Sequence, residues 1–187
     1  MALGAIPMAI PRLTPDEVAH FGLLAADYIR AQRTKYLACA DPMSDEQRAA
    51  IKPFFLPEML DGTRLVVLRS EKVVNPDFYP MLEGMGFRNL PDQSTRAAIT
   101  VCDVVVSHQQ VTNQLLFHEL VHVEQYRQLG IARFAELYVR GFLTGGSYEA
   151  IPLEVSAYTL ERRFKSHPRH VFSVEAEVKE CLARMAF

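Results

Sequence analysis

The sequence predicts an α+β fold in which a small β-sheet packs against an active-site helix and the C-terminal half is helical. β-branched runs of strand length occur at residues 63–69 and 97–106. Beyond Gly130 the apolar residues recur at helical spacing almost to the end of the chain. Strands therefore come before most of the helices and do not alternate with them, which is typical of the α+β class.

The chain has 187 residues, enough to bury a proper core, and we expect a single domain over residues 1–187. Its first ten residues are apolar but lack a basic region, and Pro7 and Pro11 interrupt this end. We therefore expect residues 1–13 to form an extended arm rather than a signal peptide. No apolar run approaches ~18 residues, so we expect no membrane span and a cytoplasmic protein.

Composition excludes several classes of protein. Hydrophobic residues make up 49% of the chain and charged residues 22%, which is ordinary for a globular protein and argues against disorder. The net charge is −2 and the basic residues are dispersed, so we expect no nucleic-acid partner. Cys39, Cys102 and Cys181 are far apart, which argues against a disulfide framework and against a cysteine zinc site. The oligomeric state stays open.

Two capping boxes mark helix starts in the N-terminal part. Residues 14–17 read Thr-Pro-Asp-Glu and predict a helix that runs to about Ala38. Residues 44–47 read Ser-Asp-Glu-Gln and predict a short helix that ends near Lys52, before Pro53. The connection between the two predicted strands contains several glycines and prolines, and we expect a short helix or a substrate-facing loop there.

The second strand leads into the helix that contains the most informative residues. Thr112 is its expected N-cap and Gly130 its expected C-terminal stop. Further helices are predicted over residues 131–143, 152–165 and 173–185, with a break at residues 145–147.

Three titratable side chains, His118, Glu119 and His122, interrupt an apolar run in this helix. Burying such groups without partners costs roughly 2–7 kcal/mol each, so they need a partner. On a helix the two histidines share one face and can bind one cation through bonds of about 2.0–2.1 Å. Glu119 projects about 100° round the helix, where it can reach a water bound to the metal. The spacing is that of two metal ligands and a general base.

A simpler interpretation is a helix whose histidines satisfy buried carbonyl groups and whose glutamate is solvated. The rest of the chain favours metal binding, because it contains suitable third ligands. Gln125 and Gln128 exclude a site with a third histidine six residues after His122, and Asp103 is the last aspartate in the chain. The remaining candidates are Glu136, Glu149, Glu154, Glu161, His167 and His170.

We expect Glu154 to be the third ligand. Pro152 starts a helix there and would hold a first-turn carboxylate on a rigid element. A glutamate in that position can also serve only to complement the helix dipole, for about 0.3–1 kcal/mol. Glu149 is the alternative ligand and follows a glycine-rich segment, whereas His167 and His170, beside Pro168, look like exposed loop histidines.

The sequence His-Glu-Leu-Val-His at residues 118–122 is followed about thirty residues later by Pro-Leu-Glu-Val-Ser-Ala-Tyr at residues 152–158. This pair of segments resembles the gluzincin class of zinc metallopeptidases, and above all the small single-domain bacterial forms called minigluzincins. The resemblance covers about residues 97–161. It implies a zincin-like fold and a substrate-pairing sheet edge at residues 97–106. It also implies one zinc ion per chain, held by His118, His122 and Glu154, with Glu119 as the base.

The chain departs from the gluzincin pattern at two places. Glu124 stands where a hydrophobic residue is usual after the second histidine. No aspartate follows Glu154 to orient a ligand histidine, so the partners of the ligands are left unassigned.

The expected activity is zinc-dependent hydrolysis of peptide bonds in a peptide or protein substrate. Tyr148 or Tyr158 could donate a hydrogen bond to the tetrahedral oxyanion. Tyr158 is the better placed, because it lies one turn beyond Glu154, although a core tyrosine is an equally simple interpretation.

Two other functions compete with this expectation. The first is a zinc hydrolase acting on another amide. Peptide deformylase has a related helix motif, but its cysteine ligand lies in a Glu-Gly-Cys-Leu-Ser stretch that Cys102 lacks, and Cys181 comes too late. The second is a non-catalytic domain that keeps the metal for stability or for holding a partner. Glu119 counts against it, since a structural zinc has no use for a base and usually has four protein ligands.

Overall fold

Seven helices surround a small mixed sheet in the computed structural model, which describes residues 11–185. The α+β class is therefore confirmed. The predicted N-terminal arm lies outside the described residues except for residues 11–13, which belong to no helix or strand. In chain order the elements are α1 (Pro15–Leu37), β1 (Asp41–Pro42), α2 (Asp45–Ile51), α3 (Pro57–Gly62), β2 (Arg64–Val67), α4 (Tyr79–Gly84), β3 (Ala98–Val101), β4 (Val104–Ser107), α5 (Asn113–Gly145), α6 (Pro152–Ser166) and α7 (Val174–Met185).

The four strands lie in the order β1-β2-β4-β3. β2 pairs with β4 in parallel, and the two outer strands pair antiparallel to their neighbours. Every residue of β4 is buried, and its side chains alternate between two apolar clusters. Val104 and Val106 pack with α1 and the second half of α5, whereas Val105 packs with Leu116 and Leu120 from the first half of α5. The sheet therefore fixes the position of α5, the helix that contains His118, Glu119 and His122.

The prediction of one strand over residues 97–106 is wrong, because the run forms a tight hairpin. β3 and β4 pair antiparallel, with Val101 opposite Val104, and Cys102 and Asp103 make the two-residue turn. Cys102 has a φ of 65°, a conformation that glycine usually takes. The Asp103 carboxylate accepts hydrogen bonds of 2.5 and 2.8 Å from Arg33 on α1, which holds the turn in place. The consequence is that β3, and not β4, forms the edge of the sheet.

Most predicted helix boundaries are confirmed. The capping boxes that begin at Thr14 and Ser44 are both formed, and the helices that follow end at C-caps Ala38 and Lys52. α6 begins at Pro152 as expected. The long connection does contain a short helix, α4. α3 and β1, which have only six and two residues, were not predicted from the sequence.

Gly130 interrupts α5 without ending it. Its φ of 70° and ψ of 165° lie outside the helical region, so α5 consists of two helical segments joined at this residue. Thr112 caps the first segment by accepting a hydrogen bond of 3.2 Å from the Leu115 amide. Gly146, with a φ of 70°, ends the second. No helix within residues 11–185 is long and apolar enough to cross a membrane.

Four phenylalanines hold the first half of α5 against its neighbours. The rings of Phe117 on α5 and Phe164 on α6 stack at 4.3 Å between centroids and 9° between planes. Phe54 contacts both of these rings, and Phe172 contacts Phe117 and Phe54. Aromatic pairs of this kind contribute about 0.5–1.5 kcal/mol each beyond their area of burial. Because Phe117 directly precedes His118, the cluster aligns the two helices that carry the candidate site.

Candidate metal centre

His118, His122 and Glu154 converge at the interface of α5 and α6. The distance between the two histidine Nε2 atoms is 3.2 Å, and Glu154 Oε2 lies 3.5 Å from His118 Nε2 and 3.4 Å from His122 Nε2. All three residues are buried, with 5%, 5% and 2% of their surface exposed. They form a group that could hold a metal ion. The structure thus brings together the three residues that the sequence analysis selected.

The spacing of these atoms fits a tetrahedral cation. Three ligands at about 2.0–2.1 Å from a tetrahedral metal ion lie about 3.3–3.4 Å apart, and the observed separations are 3.2, 3.4 and 3.5 Å. Glu154 Oε2 is buried without any hydrogen-bond partner. A buried carboxylate oxygen without a partner is costly, and a bound cation would satisfy it.

The position of Glu154 depends on close contact between α5 and the start of α6. Gly141 on α5 faces Ile151 and Pro152 so closely that a Cβ atom there would lie 2.7 Å from Pro152 Cδ. The same Cβ would lie 3.3 Å from a methyl group of Ile151. A proline ring cannot rotate out of the way, so only glycine permits this approach. Glu154 follows two residues later and is carried to the histidines by this contact.

Gly141→Ala should therefore destabilise the protein and weaken metal binding, because the start of α6 must move away from α5. We expect a loss of about 1–3 kcal/mol in the free energy of unfolding, as for other overpacked sites. The matched control is Gly62→Ala, where a Cβ would meet nothing within 4 Å. Urea unfolding and zinc titration of both variants measure the two effects. Equal stability and equal zinc affinity in the two variants would show that the contact does not position Glu154.

Both candidate histidine ligands are oriented through their other ring nitrogen. His118 Nδ1 lies 2.9 Å from Glu161 Oε2, and His122 Nδ1 lies 2.9 Å from Gln125 Oε1. Gln125 in turn donates a hydrogen bond of 3.0 Å to the Leu153 carbonyl. With Nδ1 as the donor in each ring, both Nε2 atoms carry lone pairs directed at the same point. These are the partners that the sequence analysis left unassigned.

Some of the residues that hydrogen-bond to the candidate ligands could have been recognised from their spacing in the sequence. Glu161 lies seven residues after Glu154, two helical turns along the same face, yet it appeared there only as a possible ligand. Gln125 lies one turn after His122. The bond from the Tyr138 hydroxyl to Glu154 Oε1, at 2.9 Å, had no such signal, because it joins the second half of α5 to α6.

Glu119 lies beside this group and is 4% exposed. One of its oxygens, Oε2, accepts a hydrogen bond of 2.7 Å from the Thr100 hydroxyl on the edge strand β3. Burial raises the pKa of Glu119, while the neighbouring imidazoles and Thr100 oppose this shift. The residue expected as a base is therefore held by the sheet and does not belong to the convergent ligand atoms.

Electrostatics favour positive charge at this point. Burial lowers the pKa of His118, but the neighbouring carboxylates of Glu154 and Glu161 outweigh it and raise the pKa to about 10. Burial raises the pKa of Glu154, but the two imidazoles hold it well below the usual range of a carboxyl group. Three carboxylates surround two imidazoles, so the site attracts protons or, in their place, a cation.

Apart from Glu161, the other candidate ligands are exposed to solvent or form ion pairs away from the three convergent residues. Glu149 is exposed, and Glu136 pairs with Arg133 and Arg140. His167 and His170 are exposed, as the sequence analysis expected.

Glu124, the first departure from the gluzincin pattern, has a structural explanation. Its buried carboxylate accepts hydrogen bonds of 2.7 and 2.8 Å from Arg127 and one of 2.6 Å from Gln128. Arg127 also bonds to Glu175 on α7, at 2.8 Å. Because the buried charge is fully paired, a glutamate is accommodated here and ties α5 to α7.

The two tyrosines considered as oxyanion donors border the site. The ring of Tyr158 packs against that of His118, with 4.4 Å between centroids, and 39% of the residue is exposed. It is therefore not a core tyrosine. Burial and then the Glu154 carboxylate raise the pKa of Tyr148, which keeps its hydroxyl protonated. Donation to an oxyanion by either residue stays a prediction.

Two cavities meet at Glu119. The apolar cavity, of about 130 Å³, runs from Glu119, His122 and Glu154 into the core, where its walls are mainly aromatic and aliphatic. The polar cleft, of about 420 Å³, borders His118, Glu119, Tyr158 and Glu161. The apolar cavity follows β3 from Ala98 to Val101, and the polar cleft borders this strand at Ala98. The residues that set the character of the apolar cavity are Tyr28, Phe78, Leu82, Tyr126, Phe134 and Phe142.

Neither a protein family model, nor a curated protein, nor a solved structure matches this chain.

Proposed function

We propose that this protein is a zinc-dependent metallopeptidase with a gluzincin-type site on a zincin-like fold. The observation that carries the proposal is the convergence of His118 Nε2, His122 Nε2 and Glu154 Oε2 at tetrahedral separations, with Glu119 directly beside them. Two imidazoles and one carboxylate are the donor set of several hydrolytic zinc enzymes, which leave a fourth position for water. A structural zinc site would more often have four protein ligands.

Each residue has a distinct role in this proposal. His118, His122 and Glu154 would hold zinc, which supplies a Lewis acid that activates a water molecule and polarises the scissile carbonyl. Glu119 would accept the proton of the attacking water on a carboxylate oxygen and then deliver it to the leaving amine. The raised pKa of Glu119 supports this role, because a base with a higher proton affinity removes a proton more readily.

The edge strand supports a peptide as the substrate. β3 pairs with β4 on one side only within residues 11–185, so its other edge offers backbone groups to an extended chain. Thr100 lies on this strand and bonds to Glu119. A peptide added along β3 would therefore pass directly in front of the proposed base. Tyr158 borders the polar cleft, as Glu119 does, and is the proposed oxyanion donor.

Zinc-dependent hydrolysis of an unstructured protein is the test of this function. We expect the purified protein to contain about one zinc ion per chain and to cleave an unfolded protein such as reduced casein. A chelator should remove the metal and abolish cleavage, and added zinc should restore both. If the protein binds one zinc ion per chain but cleaves no unfolded protein or peptide, the peptidase proposal is wrong. The two remaining functions would then be a non-catalytic metal-binding domain and a hydrolase of another amide. Absence of zinc binding would refute the proposal.

A further inference from the structure

Arg96 lies at the junction of the apolar cavity and the polar cleft. It borders both spaces, together with Glu119 and Tyr148. Its guanidinium carbon lies 3.7 Å above the centre of the Tyr148 ring, in a cation–π contact. Its backbone carbonyl is held by His108 Nδ1 at 2.6 Å, and His108 Nε2 accepts a hydrogen bond of 3.1 Å from the Val73 amide. Both ends of the residue are thus fixed beside the proposed base.

The Arg96 guanidinium lacks a carboxylate partner. Among residues 11–185 no aspartate or glutamate is in ion-pair contact with it, and its Nε atom is buried without a hydrogen-bond partner. Asp92 lies near Arg96, but its carboxylate accepts hydrogen bonds from Ser94 and Asn75, and those from Ser94 are the main reason that its pKa is lowered. By contrast, Arg33 engages both carboxylate oxygens of Asp103. A buried donor without a partner is costly to keep unless a ligand satisfies it.

We infer that Arg96 binds a carboxylate of the substrate, so that this site acts on peptides with a free carboxylate next to the scissile bond. The part of this inference that concerns the scissile bond rests on the proposed function. The part that concerns binding of the carboxylate does not. A guanidinium can form two parallel hydrogen bonds with one carboxylate while it keeps a contact with an aromatic ring, here that of Tyr148. The apolar cavity beside Arg96 receives an apolar side chain of the same substrate.

The carboxylate has two chemical sources in a peptide. It is either the C-terminal carboxylate, which would make the protein a carboxypeptidase or dipeptidase, or the side chain of an acidic residue. Arg96 recognises the same group in both cases, and matched peptides distinguish them. The first pair differs only in a free or amidated C-terminus, and the second only in an aspartate or asparagine beside the scissile bond.

Binding of a small probe tests the inference without relying on catalysis. The probes are N-acetylphenylalanine and its amide, titrated calorimetrically into the zinc-loaded protein and into the metal-free protein. We expect the wild-type protein to prefer the acid by at least ~10-fold in both states, because a charge-assisted hydrogen bond is at stake. Arg96→Gln should remove this preference. Arg96→Lys, which keeps the charge but not the two-pronged geometry, should retain only part of it.

Controls separate loss of recognition from loss of fold. Arg69 is exposed and borders neither cavity, so Arg69→Gln should preserve the preference for the acid. Zinc content of the Arg96 variants should match the wild type, since no hydrogen bond or ion pair joins Arg96 to a candidate ligand among residues 11–185. Thermal unfolding shows whether the variants remain folded without the contact between Arg96 and Tyr148. If both Arg96 variants unfold, the acid and amide affinities of the wild-type protein alone decide, and equal affinities overturn the inference.

Hydrolysis then identifies the source of the carboxylate. The wild-type protein should cleave one member of one matched peptide pair at least ~10-fold faster, and Arg96→Gln should cleave both members of that pair equally. If the wild-type protein binds the acid and the amide with equal affinity, as the Arg96→Gln protein is expected to do, the inference is overturned even if peptides are cleaved. Absence of any cleavage together with a preference for the acid that depends on Arg96 would support the inference and refute only the proposed peptidase activity.

Discussion

His118→Ala and His122→Ala should each abolish tight zinc binding. Structural zinc sites bind with roughly 10–16 kcal/mol shared among four ligands, so one ligand accounts for on the order of 3 kcal/mol, or more than ~100-fold in affinity. Each substitution also removes an imidazole from beside the buried Glu154 carboxylate, which should lower the stability of the metal-free protein. Zinc titration and metal content per chain after gel filtration measure the loss.

Two further variants make this result specific. His170 is exposed, and His170→Ala should keep one zinc per chain at wild-type affinity. Glu161→Gln keeps a side chain that can still accept a bond from His118 Nδ1 but removes its charge, so zinc affinity should fall less, by roughly 10–100-fold. Stoichiometric zinc at wild-type affinity in both ligand variants would show that the histidines do not form the site.

Glu119→Gln should lose at least ~10²-fold in the rate of peptide hydrolysis, the low end for removal of a general acid or base. Glutamine has nearly the same shape, and its amide oxygen can still accept the hydrogen bond from Thr100, so the fold should be retained. Zinc should be retained as well, because Glu119 is not among the three convergent ligands. Turnover of a verified substrate, with zinc content measured on the same sample, gives the result.

The matched control for this variant is Glu149→Gln, which removes a carboxylate from an exposed position near the start of α6. It should leave turnover and zinc content unchanged. If Glu119→Gln turned over a verified substrate at the wild-type rate, the general-base role would be wrong. The metal site would then belong to a domain that binds a metal without using this residue in catalysis.

Local signals in the chain account for most of the helices and for the core of the candidate site. The capping boxes at Thr14 and Ser44, and the proline at residue 152, each determine a helix start through contacts within a few residues. The spacing of His118 and His122 places them on one helical face wherever the helix lies. Pro152 begins the helix that carries Glu154, whereas Glu149 precedes this helix and is exposed.

Features that join distant segments were harder to predict. Apart from Asp103, nothing in the mostly apolar run of residues 97–106 marks a turn, because Cys102 takes a conformation for which glycine is the usual signal. The turn is supported instead by Arg33, 70 residues earlier in the chain. Glu161 was considered as a ligand, yet it binds the far side of the His118 ring. Its role depends on the distance between α5 and α6.

The residues proposed to bind and orient a metal were therefore predictable to different extents. His118, Glu119 and His122 follow from helical periodicity alone, since a helix sets their relative directions without help from the rest of the chain. The hairpin at Cys102, the hydrogen bond from Thr100 to Glu119 and the place of Arg96 between two cavities depend on how helices and strands pack. Packing depends on side-chain volumes and close contacts, such as that of Gly141 with Pro152, which no local pattern in the sequence reveals.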